Sequence, residues 1–502
     1  MASPSKQCRR RRGYMSGVPR AGAQRAGSGF ITRRSCLKAG GILTATALAA
    51  CRQPATRPGA QGTEPPRLQA PAKVRIMGTF VDEQQGRELW ERWKREIAER
   101  EPGLEAEFIV QPRADVLDKL LAQVAAGDAP DVTQGTTIEY AVRGLLADLT
   151  PFIQRDRILE TRRYFKKPVE AAQFNGRFWA MPGGLSAYVF WTNFDMLRNA
   201  GIEPPRDGKM TFDDFVRFCR AVTRDTDGDG RIDQWGYTAD NWFSRMPPLI
   251  WANGGDMFEY NKAFNLLTKP TWDMPQTVEA IQWQADLVVR HQVSPKPSEV
   301  EAAQRVGANP FQFAGGKVLF QYGGGWLIST FRRTIGENFQ WAALRTPVRR
   351  AGDPPMEMVP AFLRGSILKD TKNREAAWRA LKYISGPEGN EGYRIYVTDE
   401  LIFDTPEEIQ RYVSQSPTAN TQLLVDAARE AGQRPFYKTE VRAIYGWASE
   451  MVPAMNEEFA PIYEGERNAK DAVSRLQPRL QAIIDKGKSM GFDPEKPDIK
   501  LG

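Results

Sequence analysis

The chain has one histidine and four cysteines in 502 residues, and these two scarcities remove much side-chain chemistry before any motif is read. A multi-histidine metal site is excluded, because His291 stands alone. Cys8 and Cys36 fall within the first fifty residues and Cys51 just after them, so Cys219 is the one thiol of the body. A lone thiol forms no internal disulfide, and the run Phe215-Val216-Arg217-Phe218-Cys219 reads as a helix interior with Cys219 in the core. Cysteine–histidine catalysis would need the fold to bring Cys219 and His291 together; a solvated position at a helix end is expected for His291. Acidic residues are absent from residues 1 to 50, which hold ten Lys or Arg. Without that segment 59 basic residues face 61 acidic ones, a net charge near −2. The formal +8 of the whole chain is therefore no nucleic-acid footprint, which needs basic residues clustered on the folded domain. Also missing are a Walker motif, a nucleophile elbow, an internal repeat and a transmembrane run.

What the first fifty residues do contain is an address. Thr32-Arg33-Arg34-Ser35-Cys36-Leu37-Lys38 precedes a short apolar stretch that ends in Leu48-Ala49-Ala50-Cys51. The twin arginine resembles a bacterial twin-arginine export signal, with Cys36 where a Phe is usual. Leu-Ala-Ala-Cys resembles the box at which lipoproteins are cut and the new N-terminal cysteine acylated. Twelve apolar residues rise about 18 Å as a helix against a ~30 Å hydrocarbon core, too short for a transmembrane anchor. Residues 1–50 are thus expected to be a signal peptide, with Met15 an alternative start, and Cys51 the site of lipidation on a bacterial membrane. Residues 51–72 are rich in Pro, Gly, Ala and Gln with hardly an apolar side chain to bury. They read as a flexible tether, with an extended reach of roughly 65 Å.

The body that follows exceeds what one core usually supports, so two lobes are expected. It opens with a strand over 73–77, a helix over 85–100 carrying Leu89, Trp93 and Ile97 on one face, and a strand over 105–110. A helix over 115–126 and a turn into Asp131-Val132-Thr133 follow. This βαβ rhythm predicts a parallel sheet with helices on both faces. Ligands of such sheets sit at the carboxyl ends of the strands, which makes Thr133-Gln134-Gly135-Thr136-Thr137 a candidate binding loop.

Further landmarks occur in order: Gly127-Asp128-Ala129-Pro130-Asp131-Val132, Leu146-Ala147-Asp148-Leu149, Asn175-Gly176-Arg177-Phe178-Trp179-Ala180-Met181-Pro182, and Thr192-Asn193-Phe194-Asp195-Met196-Leu197. They continue through Asn253-Gly254-Gly255-Asp256, Phe313-Ala314-Gly315-Gly316-Lys317, Gly323-Gly324-Gly325-Trp326 and Glu375-Ala376-Ala377-Trp378. In this order they resemble the family 1 extracellular solute-binding proteins, the maltose-binding-protein-like sugar receptors of ABC importers, from about Lys73 to Gly487. Thr192 and Phe194 depart from the family's Tyr-Asn-Lys-Asp stretch. The resemblance implies an α/β, two-lobe periplasmic-binding-protein fold of type II, with the ligand cleft between lobes joined by hinge crossings. Lobe 1 would take 73–187 plus about 361–405, and lobe 2 188–360 plus about 406–490. Crossings are expected near Gly183 to Tyr188, near Pro360 to Gly365, and between roughly 400 and 420, with Gly183-Gly184 as a hinge point. The implied partners are a carbohydrate ligand, an ABC permease and its separate ATPase, and the membrane through the lipid anchor, with the receptor itself a monomer and no enzyme.

Aromatic content suits a sugar, whose apolar C–H faces meet flat rings while its hydroxyl rim meets amides and carboxylates. Trp326, after three glycines, is the leading ligand-binding candidate; ordinary core packing is the plain alternative for any other single Trp. Gln134, Thr136, Ser186, Tyr188, Trp242, Phe243, Trp251 and Trp447 are placed beside it by motif neighbourhood. An exported polysaccharide hydrolase or lyase remains the alternative function, yet no motif singles out the carboxylate pair it needs.

Asp225-Thr226-Asp227-Gly228-Asp229-Gly230-Arg231-Ile232-Asp233 reproduces the first half of an EF-hand loop, with carboxylates at positions 1, 3, 5 and 9 and Gly at 6. Position 12 is Gly236 rather than Glu, and the alternative is a solvated Asx turn. A structural calcium held by Asp225, Asp227, Asp229 and Asp233 is expected, and no cofactor is required.

Overall fold

A computed structural model of the chain describes residues 71–78, 83–111, 116–135, 140–141, 143–239, 246–261, 266–305, 312–396, 400–414, 420–434 and 448–489. The signal segment, Cys51 and the tether up to residue 70 lie outside the described residues, as do Thr136, Trp242, Phe243 and Trp447, and the expected tether end at Ala72 is already the first residue of a strand. No helix among the described residues is long and apolar enough to cross a membrane.

Along the chain the strands are β1 (Ala72–Gly78), β2 (Leu104–Val110), β3 (Val132–Thr133), β4 (Gln173–Phe174), β5 (Arg177–Phe178), β6 (Met181–Leu185) and β7 (Val189–Asn193). They continue with β8 (Trp235–Tyr237), β9 (Phe258–Asn261), β10 (Leu266–Pro270), β11 (Val318–Gly323), β12 (Trp341–Leu344) and β13 (Ala361–Ile367). Two larger sheets organise most of them, one in the order β2-β1-β3-β13-β6 and one in the order β12-β7-β11-β8, while β4 with β5 and β9 with β10 form two-stranded sheets.

The first sheet begins as the βαβ pattern predicts. β1 runs parallel to β2 from Ala72 opposite Leu104 to Gly78 opposite Val110, and parallel to β3 on its other side. The connecting helix Glu83–Arg100 buries Leu89, Trp93 and Ile97, spaced four apart, on one stripe. The expected all-parallel sheet is however mixed, since β13 pairs antiparallel with β3, and β6 antiparallel with β13. A parallel neighbour needs a crossover that returns the chain to the starting edge. β13 instead arrives from the other sheet, whose last strand is β12, and enters from the opposite end.

In the second sheet β7 is central. β11 and β12 flank it antiparallel, and β8 is parallel to β11. All five β7 residues are buried, as both faces of a central strand demand. Cys219, in the helix Phe212–Val222, is fully buried against Gly236 of β8, where a Cβ would lie 2.4 Å from its own. Burial pushes the thiol pKa well up, so Cys219 is an inert packing residue. His291 is half-buried rather than solvated, with Arg220 Nη2 2.7 Å from its Nδ1. Burial and that guanidinium lower its pKa.

Only Ser186, Ala187 and Tyr188 separate β6 of the first sheet from β7 of the second. Beside this junction Leu185 exchanges backbone hydrogen bonds with Leu401 at 2.8 and 3.1 Å, and Tyr188 N–H donates to the Met358 carbonyl at 2.8 Å. Three chain segments thus pack side by side where the sheets meet. A Cβ on Gly183 would lie 2.6 Å from the Phe362 oxygen, and one on Gly184 2.5 Å from Glu400 Oε2. These glycines are needed for close approach, which is a different requirement from the hinge freedom expected of them.

Candidate functional site

The residues gathered at the junction are aromatic. Tyr188, at the entry to β7, stacks on Tyr322 of β11 with ring centroids 5.3 Å apart. Its ring also meets Trp326 edge-on at 4.9 Å and 81°. Phe362 of β13, in the first sheet, meets the same indole edge-on at 6.4 Å. Trp326 and Phe362 are half-buried, whereas Tyr188 and Tyr322 are buried. The group therefore has a covered base and a partly open rim, with one rim ring following β11 of the second sheet and the other on β13 of the first.

The three glycines before Trp326 explain its pose. Trp326 occupies the N-cap of the helix Leu327–Thr334 and folds its ring back over Gly324, where a Cβ would fall 2.1 Å from the indole Cζ3. A Cβ on Gly323 would meet Leu327 at 2.5 Å, and one on Gly325 would meet the Tyr412 hydroxyl oxygen at 2.4 Å. The space that the missing side chains leave is filled by the protein's own Trp326, Leu327 and Tyr412, which fix the indole. Gly325 N–H donates to Ser186 Oγ at 2.6 Å, and Trp191 Nε1 donates to the Gly324 carbonyl at 3.3 Å. The run between β11 and the helix is thus pinned from both sides.

Gln134 follows β3 at the carboxyl edge of the first sheet and is buried. Its backbone N–H donates to the Met77 carbonyl at 2.9 Å, and its Nε2 approaches the Arg364 carbonyl at 3.5 Å. It therefore touches β13, the strand that carries Phe362. Arg364 itself turns away into a buried ion pair with Glu400 at 3.0 Å and lies over the Tyr393 ring at 4.0 Å. Lys167, also buried, donates to Glu170 at 2.8 Å and to the Arg434 carbonyl at 2.6 Å. Burial lowers its pKa despite Glu170.

Of the residues singled out from the sequence, Ser186, Tyr188 and Trp326 stand together, and Gln134 sits at the neighbouring sheet edge. Trp251 is buried in the helix Met246–Ala252, in the same core cluster as Tyr188 and Tyr322. Two members were missed. Tyr322 immediately precedes the glycine run, and Phe362 lies in the stretch expected as the second crossing, so an aromatic at each place was a usable signal.

The aspartate loop divides. Carboxylate oxygens of Asp225, Asp227 and Asp229 lie within 4.8 Å of one another, an arrangement able to hold a cation. Asp225 also accepts from the backbone N–H groups of Gly228 at 2.7 Å and Gly230 at 2.8 Å. Asp233 is not part of this cluster. Its carboxylate takes Lys317 Nζ at 2.6 Å and the Thr226 hydroxyl at 2.6 Å, and Lys317 holds its pKa well below the usual range. Gly236, at the twelfth position, lies in β8 and offers no side-chain ligand.

The family model described as bacterial extracellular solute-binding protein matches residues 82–391. Among solved structures, the ABC substrate-binding protein Lmo0181 of Listeria monocytogenes, in complex with cycloalternan, superposes with a TM-score of 0.69 at 21% identity, covering 84% of this chain and 99% of its own. Maltose-bound MalE3 of T. maritima gives 0.63 at 18% identity over 82% and 99%. The maltose/maltodextrin-binding domain MalE of Bdellovibrio bacteriovorus, bound to maltotriose, gives 0.62 at 14% over 83% and 100%. These likenesses establish the two-lobed type II fold.

Proposed function

This chain belongs to the bacterial extracellular solute-binding protein family, one of binding receptors rather than enzymes, and from that premise we propose that it captures a sugar or oligosaccharide and delivers it to an ABC permease and its ATPase. The observation that carries the reading is the aromatic group of Tyr188, Tyr322, Trp326 and Phe362 at the junction of the two sheets. A half-open indole on a buried tyrosine base suits the C–H face of a sugar, and Ser186 and Gln134 supply polar partners beside it. The carbohydrates named in the three structures above support the same class of ligand. Melting of the purified protein against a panel of sugars tests it. A ligand at a hundredfold its dissociation constant adds about 2.7 kcal/mol of stability, and the sugar should be recovered unchanged. Cleavage products would favour the polysaccharide-enzyme alternative.

Two finer readings belong to the same proposal. The mature protein is held at the membrane as a monomer by lipid on Cys51 after twin-arginine export, supported by the Leu-Ala-Ala-Cys box. The loop of Asp225, Asp227 and Asp229 holds calcium as a structural ion, supported by their spacing and mutual approach. No step of solute capture runs through that ion, and melting with chelator and with added calcium decides it.

A further inference from the structure

Two arginines share one buried polar cluster and are satisfied very differently. Arg345 uses both edges of its guanidinium. Its Nε and Nη2 donate to the two Glu357 oxygens at 2.6 and 2.7 Å, and its Nη1 and Nη2 to those of Glu430 at 3.3 and 2.7 Å. Arg434 is the C-cap residue of the helix Gln422–Gln433. Its Nη1 reaches only the Met356 sulfur, at 3.6 Å. Its Nε and Nη2 are buried and have no hydrogen-bond partner among the described residues. These two N–H groups form the side-on edge of the guanidinium, a pair of parallel donors built to hold two neighbouring acceptors. Buried donors of a cation are rarely left unpaired, so the edge calls for a partner that none of the described residues provides.

The position of Arg434 suggests what that partner is. Met356, which its guanidinium touches, begins the short stretch that carries Met358, whose carbonyl holds Tyr188, and Phe362, which meets Trp326. Met356 and Trp326 pack against the same core cluster. Arg434 and the aromatic group are therefore fastened to one segment.

We infer that the Nε–Nη2 edge of Arg434 is a solute contact that takes a vicinal pair of hydroxyl oxygens from a neutral sugar. This deepens the receptor reading and rests on it. Charge selects the acceptor: Arg345 and Arg434 are balanced by Glu357 and Glu430, both of which attract Arg434. Lys167 is likewise matched by Glu170. A carboxylate or phosphate on the ligand would add a negative charge that no buried cation of this cluster offsets, at a high desolvation cost; the further cation that acts on Glu430, Lys209, is exposed. Two hydroxyls satisfy both donors and leave the balance unchanged.

The test begins with melting of the purified protein with maltose, maltotriose, trehalose, glucuronic acid and glucose 6-phosphate. Calorimetry then compares wild type, Arg434→Met and Arg434→Lys on the sugar giving the largest shift and on its monodeoxy analogues. A neutral sugar should give that shift. Arg434→Met should bind it at least about tenfold more weakly, and Arg434→Lys, which keeps the charge and loses the fork, should fall with it. Removing one hydroxyl of the held pair should weaken wild type by a similar factor and cost the variants almost nothing further, a coupling that a merely structural role would not produce. Melting of the unliganded variants checks their fold, and Lys preserves the charge beside Glu357 and Glu430 if Met does not fold. Wild-type affinity in the variants, or equal deoxy losses in all three proteins, overturns the assignment of Arg434 and leaves the receptor reading standing. The largest shift from glucuronic acid or glucose 6-phosphate overturns the neutral ligand. If no compound on the panel shifts wild type, the receptor reading falls and the inference with it.

Discussion

Tyr188 presents its ring to the edge of Trp326 at 4.9 Å while it stacks on Tyr322 at 5.3 Å. The indole is thus the outer member of a three-ring group, set at right angles to a stacked tyrosine pair that is buried. Trp326→Ala removes the outer ring and leaves the base, so binding of the cognate sugar should weaken at least about tenfold, one decade being roughly 1.4 kcal/mol. The fold should be largely kept. Tyr188→Phe retains both ring contacts and should bind nearly as wild type. Calorimetry on the two folded variants checks the pair, and equal affinities in Trp326→Ala and wild type would remove the indole from the site.

Gly324 offers a subtler probe of the same ring. A methyl there would fall 2.1 Å from Cζ3 and 2.5 Å from Cε3 of Trp326, so the indole must leave its place in Gly324→Ala. Overpacking of this kind costs about 1–3 kcal/mol, and sugar affinity should drop with it toward that of Trp326→Ala. Adding Gly324→Ala to Trp326→Ala should then cost little more, because the atom that clashes is gone. A full additive loss in the double variant would show that Gly324 acts through something other than the indole.

Much of this arrangement was legible in the residues, and what was not has physical reasons. The helix Glu83–Arg100 announced itself by Leu89, Trp93 and Ile97, because a stripe four apart has one folded meaning. Ser186, Tyr188 and Trp326 came from local motifs and meet in space. The mixed direction of the first sheet did not show, since β13 pairs with β3 across more than two hundred residues and no local period encodes a partner's direction. The burial of Trp251 was hidden for a related reason: a tryptophan beside Asn253-Gly254-Gly255 reads the same whether its helix is covered or open. Asp233 fits the ninth position of a calcium loop by count, and only the fold could bring Lys317, 84 positions away, against it.

Asp156, the C-cap residue of the helix Thr150–Arg155, ties that helix to the helix Arg374–Ile384 and makes an acid-stability prediction. It is largely buried, which raises its pKa, but hydrogen bonds from Arg155, Lys382 and Trp378 outweigh burial and bring it down to about 2. A lowered folded-state pKa contributes stability that is fully present above the unfolded value near 3.9 and is lost as pH falls toward 2. Asp156→Asn should cost roughly 1–3 kcal/mol at neutral pH by weakening the charged partners and the buried Trp378 indole. It should also flatten the fall in melting temperature between pH 4 and pH 2. Parallel wild-type and variant curves across that window would contradict the assignment.

Cys51 supplies the only acylation site in the proposed anchor, ahead of a tether rich in proline and glycine. Cys51→Ala should abolish labelling by a radiolabelled or alkyne fatty acid and release the protein from the membrane fraction. With no second lipid site proposed and no helix among the described residues long and apolar enough to cross a membrane, loss of the lipidated residue should be close to complete in its effect. Retention of the variant in washed membranes would refute the lipoprotein reading without touching the receptor reading.

Gly184 tests how the three segments at the sheet junction are coupled. A Cβ there would lie 2.5 Å from Glu400 Oε2 and 2.6 Å from Glu400 Cβ, so Glu400 has to move in Gly184→Ala. Glu400 is paired with Arg364 at 3.0 Å, and each side chain is only 4% exposed. Displacing one member leaves the other charge buried without its partner, and outright removal of one member of such a pair costs about 3–5 kcal/mol. Glu400 can keep part of its contact after a shift, so Gly184→Ala should be milder, roughly 1–3 kcal/mol, the usual range for overpacking. The two effects share one cause, which a double-mutant cycle with Glu400→Gln exposes. Melting should show Gly184→Ala costing clearly less in the Glu400→Gln background than in wild type, with a coupling of about 0.5 kcal/mol or more. Strict additivity would mean that the clash is relieved without disturbing the ion pair, and Gly184 would then be a local packing residue rather than a constraint on Arg364 and Glu400.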